Sequence, residues 1–141
     1  MRFSRWFVLL LVVAAVVAGC APGSGDLPPQ ISPREAQSRL QNDEDAILLD
    51  VRTVEEWAND GRSPQAVLIP LDELQARAPA ELDPQATIIV ICRSGNRSQV
   101  AADLLRQMGY RHVTEVEGGM RNWVAQGLPL ECDVALCGLQ G

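Results

Sequence analysis

Cys92-Arg93-Ser94-Gly95-Asn96-Arg97-Ser98 follow directly on a β-branched run, Thr87 to Ile91, and lead into a helical pattern from Gln99 to Met108. A cysteine at a strand end, on a short loop feeding a helix, meets backbone N–H groups and the positive end of the helix dipole. Arg93 and Arg97 add full charges to the same loop. Such surroundings lower a thiol pKa from about 8.5 into the range of roughly 3.5 to 7.5, so a nucleophilic thiolate is expected at neutral pH. The implied chemistry is attack by sulfur on an electrophile that carries negative charge. Four residues separate Cys92 from Arg97, a spacing that lets the loop curl its N–H groups around one sulfur-centred anion. Gly95 supplies the backbone freedom for that curl. Ser94, Asn96 and Ser98 are candidate side-chain donors, and Ser98 is expected to cap the helix. An inert buried thiol is the alternative reading of Cys92, and the charged loop argues against it.

The elements that must position this loop alternate in type. Ser32-Pro33-Arg34-Glu35 carries an N-cap, a proline at the first helical position and a capping-box glutamate, so a helix is predicted from about Pro33 to Leu40. Ala46 to Val51 is an apolar run suited to a strand buried on both faces. Thr53-Val54-Glu55-Glu56 is a second capping box, opening a short helix that holds Trp57. A strand over Ala66 to Ile69, a short helix over Leu71 to Arg77 and a proline-punctuated loop from Ala78 to Gln85 follow. The strand Thr87 to Ile91 delivers Cys92, and the next helix places Val100, Ala101, Leu104, Leu105 and Met108 on one face before a C-cap at Gly109. His112 to Val116 reads as a strand, Gly118-Gly119 as a turn, and Met120 to Gln126 as a last helix ended by Gly127 and Pro129. Strands alternating with helices imply an α/β domain with a largely parallel sheet, whose ligands bind beyond the carboxyl ends of the strands, where Cys92 falls.

Residues 1–19 stand apart from this fold. Arg2 and Arg5 precede thirteen uninterrupted apolar residues, Trp6 to Ala18, short of the roughly 20 a spanning helix needs and ordered as in a secretory signal peptide. Val17-Ala18-Gly19-Cys20 resembles the lipobox of bacterial lipoproteins, which implies lipidation of Cys20, cleavage before it, and anchoring to the cell envelope on the periplasmic side of the inner or outer membrane. A Gly-, Ser- and Pro-bearing linker then runs over residues 20–30. The mature chain of 122 residues suffices for one domain. Ten of the twelve arginines remain in it against 18 acidic residues, a net charge of −8 that argues against nucleic acid as a partner. There is no lysine, which excludes lysine Schiff-base chemistry.

Asp50-Val51-Arg52 with Glu55-Glu56-Trp57 and Gly61, Ala66 with Ile69-Pro70-Leu71, the loop Cys92 to Ser98, and Glu117-Gly118-Gly119-Met120 with Trp123, Gly127 and Pro129 together resemble a single-domain rhodanese, the sulfurtransferase family. The similarity covers residues 31–130. It implies a rhodanese-like α/β fold, a five-stranded mainly parallel sheet with helices on both faces, and a catalytic Cys92 cycling between thiolate and persulfide. It also implies a small anionic donor such as thiosulfate, cyanide or a thiol as acceptor, and no cofactor or metal. Where relatives have Gly-His-Ile-Pro-Gly-Ala, this chain has Gly61-Arg62-Ser63-Pro64-Gln65-Ala66. Thiol-dependent phosphatases carry five residues between cysteine and arginine, so the loop length here favours sulfur over phosphoryl transfer. A rhodanese-fold binding or persulfide-carrier module is the alternative reading.

Asp50 and Arg52 are expected to support the site, through an Asp50–Arg52 or Arg52–Glu56 ion pair. His112 falls at the opposite end of the sheet from Cys92. Trp57 and Trp123 are expected in the core. In the tail, residues 131–141, Cys132 and Cys137 favour a disulfide outside the cytoplasm; a sulfur-accepting dithiol and half of a metal site are the alternatives.

Overall fold

The structure, a computed structural model, describes residues 27–132. Cys20, Cys137, the leader and most of the linker and tail lie outside the described residues. One sheet of five parallel strands runs in the order β1-β5-β4-β2-β3, with β1 at Gln30–Ile31, β2 at Ala46–Asp50, β3 at Ala66–Leu68, β4 at Thr87–Ile91 and β5 at Val113–Val116. β4 is central, and all of its residues from Ile88 to Ile91 are fully buried. That burial on both faces explains its unbroken β-branched composition.

Five helices cover the sheet: α1 (Pro33–Asn42), α2 (Val54–Asp60), α3 (Leu74–Glu81), α4 (Asn96–Gln107) and α5 (Gly119–Ala125). Side chains alternate between faces along each strand. Leu49, Ile88, Val90 and Val113 meet Leu74 and Ala78 of α3 and Ala101, Ala102 and Leu105 of α4. Leu48, Ile89, Ile91 and Val116 meet Ala36 of α1 and Met120 and Trp123 of α5. The α/β architecture expected from the sequence, a five-stranded parallel sheet with helices on both faces, is therefore the one found. Trp57 and Trp123 are both buried, and the Trp123 indole donates to the carbonyl of Pro129 at 3.0 Å.

Most boundaries differ from the sequence reading by one or two residues, and those of α3 and α4 by more: α3 starts at Leu74, three residues later than expected. α3 continues through Glu81, where a loop was expected from Ala78. Pro79 removes one N–H from this helix, but it lies on the exposed side, and Arg77 bridges Glu73 and Glu81 across the turns at 2.8 and 2.6 Å. Buried Tyr110 also donates to the carbonyl of Ala78 at 2.9 Å, holding the helix to the body. α4 begins at Asn96, three residues earlier than expected, because Gly95 at φ 108 turns the chain directly into it. Strand β1, only two residues long, shows no periodicity and follows from the family resemblance alone.

The departure at Arg62-Ser63-Pro64-Gln65 has a partner. Arg62 and Glu131 form an antiparallel bridge, Arg62 N–H to Glu131 O at 2.8 Å and Glu131 N–H to Arg62 O at 2.6 Å. Gln37 donates to the Gln65 side chain at 3.1 Å, and Ser63 is buried. No helix among the described residues is long and apolar enough to cross a membrane.

Candidate active site

Cys92 follows the end of the central strand and is 1% exposed, so only a small reagent has direct access to its sulfur. The N–H of Gly95 donates to Cys92 Sγ at 3.1 Å, and Ser98 Oγ lies 3.5 Å from the same sulfur. Burial pushes the Cys92 thiol up, but the Ser98 hydroxyl and the N–H groups of Ser98, Gly95 and Ser94 outweigh it and draw the pKa below its ordinary value. The thiolate is thus held by short-range donors, as expected of a loop curled around an anion.

Ser98 does not cap α4 in the expected way. The N-cap is Gly95, which has no side chain, and the Ser98 hydroxyl donates back to the carbonyl of Gly95 at 2.8 Å. A hydroxyl has one proton. While Cys92 is a thiol, its S–H donates to Ser98 Oγ and the hydroxyl serves Gly95. Once Cys92 ionises, the same hydroxyl can turn to the sulfur. Ser94 and Asn96 are exposed on the loop, and Arg93 is exposed beside them.

Arg97, expected from the sequence as a charge near the sulfur, does interact electrostatically with Cys92, but its direct partner is a carboxylate. Arg97 makes a bidentate pair with Glu56, both contacts at 2.6 Å, and no hydrogen bond to Cys92. Glu56 also accepts from the N–H of Thr53 at 3.0 Å while Thr53 Oγ1 accepts from the N–H of Glu56 at 3.3 Å. The capping box of α2 was legible; that its carboxylate also ties down the Cys92 loop was not, because the partners are 41 residues apart. Arg52 pairs with Asp50, one of the two expected arrangements, at 2.7 Å and with both side chains fully buried. Its Nη2 also donates to the carbonyl of Gly61 at 2.7 Å, clamping the end of α2 to the end of β2. A buried pair of this kind is an organiser of loops more than a source of net stability.

The Gly118-Gly119 turn, read from the sequence as approaching the loop, does meet it, whereas Glu115 escaped the sequence reading. Gly119 packs against Cys92 and Arg93, and the N–H groups of Met120 and Arg121 donate to the carbonyls of Cys92 and Arg93 at 2.7 and 3.1 Å. Glu115 is buried at 4% exposure on the face of β5 that carries Val113, beneath α4. Burial pushes its carboxyl up, against the opposing pull of Arg106 and the Ser98 and Gln30 side chains. Period-two alternation from Val113 was the available signal. His112 begins the edge opposite the loop, its carbonyl accepting from the N–H of Ile88 at 2.7 Å. Cys132 is disulfide-bonded, its partner lying outside the described residues, and Cys92 is the free cysteine among those described.

Residues 32–126 match the rhodanese-like domain family. The chain belongs to that family. This rhodanese-like domain is 35% identical over 101 residues to a protein named sulfurtransferase in Allochromatium vinosum, a match covering 72% of this chain and 92% of the relative. It is 38% identical over 98 residues to the putative sulfur carrier protein YrkF of Bacillus subtilis, covering 70% of this chain and about half of that protein, 52%. Its fold matches the solution structure of the rhodanese-like domain of Alr3790 from Anabaena with a TM-score of 0.72 at 32% identity, covering 82% of this chain and 87% of that one.

The Glu56–Arg97 pair gives a pH prediction. The hydrogen bond from Arg97 outweighs the upward effect of burial and, with Thr53, holds the Glu56 carboxyl at about 2. Because the folded pKa is depressed, its contribution to stability is complete above the ordinary value near 4.5 and fades as pH falls toward 2. Arg97 is a third exposed, so screening limits the contribution to about 1 kcal/mol. Urea unfolding of wild type and Glu56→Gln should therefore differ at pH 7 and converge as pH approaches 2. A difference that is constant over this range would show that the ion pair is not its source.

Proposed function

We propose that this rhodanese-like domain moves sulfane sulfur through a persulfide on Cys92. The observation that carries the reading is the sulfur held by the N–H of Gly95 and by Ser98 in a four-residue loop, with its pKa drawn down. The Cys92 thiolate attacks the outer sulfur of thiosulfate or a similar donor. The bond between the two donor sulfurs breaks, sulfite leaves with its electron pair, and Cys92 carries a persulfide. Cyanide carbon or an acceptor thiolate then attacks the outer sulfur, and Cys92 leaves as the thiolate. Loop N–H groups stabilise the anion formed at each stage. The near-complete burial of Cys92 and the short loop favour a compact sulfur donor over a phosphate ester.

The test is direct. Domain lacking residues 1–20, given thiosulfate or polysulfide, should gain the mass of one sulfur atom on Cys92 and lose it to cyanide or a thiol. Failure to gain sulfur from several sulfane donors, with the thiol shown to be reduced and accessible, would favour the alternative reading, a binding module. That second reading draws support from the neutralisation of Arg97 by Glu56 and the narrow access to Cys92. Gain of sulfur without turnover would indicate a carrier.

The location proposed with this function is the cell envelope, through lipidated Cys20. The basic residues, the short apolar run and Val17-Ala18-Gly19-Cys20 support it. Fatty-acid labelling should be lost in Cys20→Ala; labelling that persists would remove the anchor. In the same oxidising setting Cys137 is the expected partner of Cys132.

A further inference from the structure

Of the ten described arginines five pair with carboxylates and five do not, Arg34, Arg62 and Arg111 among the latter but away from the cleft lined by the other two. Arg39, Arg52, Arg77, Arg97 and Arg106 each pair with a carboxylate. Arg93 and Arg121 make no ion pair, and both line one open cleft of about 350 Å³ beside the Cys92 loop. The cleft is shared with Arg52, Asp60, Met120 and Val124. Arg52 adds a second, independent sign. Its side chain is fully buried, and its Nη1 has no hydrogen-bond partner although Nε and Nη2 are fully engaged. A buried guanidinium nitrogen left unpaired is costly, and here it belongs to a residue lining the cleft where two unpaired guanidiniums also meet. On a chain whose formal net charge is −6, this convergence of cations is local and not a consequence of composition.

The pair is also rigidly set. The N–H of Arg121 donates to the carbonyl of Arg93 at 3.1 Å, so the two residues project from adjoining backbone on α5 and the catalytic loop. Asp60 offsets one positive charge at the rim, which suits a singly charged group better than a doubly charged one. Cys92 itself does not line the cleft. Thiosulfate carries its charge on the attacked outer sulfur and on the oxygens of the adjoining sulfonate, all within two bonds of the reacting atom, so it belongs over the loop N–H groups. A group seated in the cleft must be joined to the reacting sulfur by a short spacer. Met120 and Val124 supply apolar wall for such a spacer.

We propose that this cleft is an acceptor subsite, in which Arg121 and Arg93, backed by Arg52, bind the carboxylate or sulfonate of a small anionic thiol. The inference rests on the sulfur-transfer reading of Cys92 for its catalytic consequence but not for binding. When the acceptor's own thiolate attacks the persulfide, the cleft holds its distant anionic group and so sets which thiols are used.

The experiment has two arms. In the first, Cys92 is loaded with sulfur from polysulfide, and discharge is followed with 2-mercaptoethanesulfonate and with uncharged 2-mercaptoethanol. Wild type should favour the sulfonate, and Arg121→Ala should reduce that preference about fivefold, through KM, as expected for loss of one partly exposed charge contact. Arg121→Lys should keep part of it, and Asp60→Asn should increase it. Equal effects of Arg121→Ala on both thiols, or an effect on loading from thiosulfate instead, would overturn the assignment. The second arm uses Cys92→Ser, which cannot carry sulfur, and follows backbone amide NMR shifts on titration with 1-propanesulfonate. Saturable shifts at Arg93 and Arg121, abolished in Arg121→Ala, support the subsite even if Cys92 never loads. The absence of such shifts in protein with intact Arg121 would dismiss it.

Discussion

Cys92→Ser is expected to acquire no sulfur from thiosulfate or polysulfide under conditions in which wild type is loaded to one sulfur per chain. The substituted hydroxyl occupies nearly the same space between Gly95 N–H and Ser98 Oγ, so the loop should fold as before. What is lost is the nucleophile. The donors around Cys92 draw a thiol pKa down because that pKa starts near 8.5. A serine hydroxyl starts far higher, remains protonated, and cannot form a persulfide. Ser98→Ala provides the graded companion. It removes a group that lowers the thiol pKa, so the pH profile of Cys92 alkylation should move to higher pH while the nucleophile stays. The rate of sulfur uptake at neutral pH should fall about tenfold, the effect of losing one hydrogen bond to a charged group of about 1.5 kcal/mol. Sulfur found on the Cys92→Ser chain would place the carrier elsewhere. An unmoved alkylation profile in Ser98→Ala would show that backbone N–H groups alone hold the thiolate.

Much of this site was legible because its parts are local. A strand of β-branched residues, a cysteine at its end, a glycine and the start of a helix lie within one stretch of chain, and hydrophobic period and loop chemistry locate each of them. The Asp50–Arg52 pair was legible for the same reason, two residues on one strand end. The bond between Glu56 and Arg97 was not, since the capping box already accounted for Glu56 and nothing in the sequence marks a second use of the same carboxylate. Pro79 misled because proline weighs heavily as a helix breaker in sequence, whereas the Arg77 bridges and the Tyr110 contact that keep the helix intact are set by tertiary structure. The cleft between Arg93 and Arg121 was illegible in principle. It exists only because α5 is folded back onto the loop.

That fold-back depends on Gly119, and Gly119→Ala should be the most damaging substitution outside Cys92. Gly119 has φ 61, in the left-handed region. A Cβ there would collide with the carbonyl oxygen of Cys92 and lie 2.8 Å from the carbonyl carbon of Arg93 and 2.9 Å from the amide nitrogen of Ser94. All three are backbone atoms, which cannot swing aside as a side chain would. The left-handed conformation costs an alanine about 1–2 kcal/mol, and forcing apart packed backbone adds about 1–3 kcal/mol. Gly127 separates the two effects, since its φ is 67 but nothing lies within 4 Å of a Cβ added there. Gly127→Ala should therefore lose only the conformational part. Thermal unfolding should show Gly119→Ala lowered about twice as far as Gly127→Ala. The functional contrast should be larger, because displacing α5 breaks the bonds from Met120 and Arg121 to the carbonyls of Cys92 and Arg93 and lets the loop open away from the sulfur. In Gly119→Ala the Cys92 alkylation profile should shift to higher pH and sulfur uptake should fall; in Gly127→Ala both should match wild type. Equal destabilisation by the two alanines, with an unshifted Cys92 profile in each, would mean that the loop holds its shape without α5 behind it.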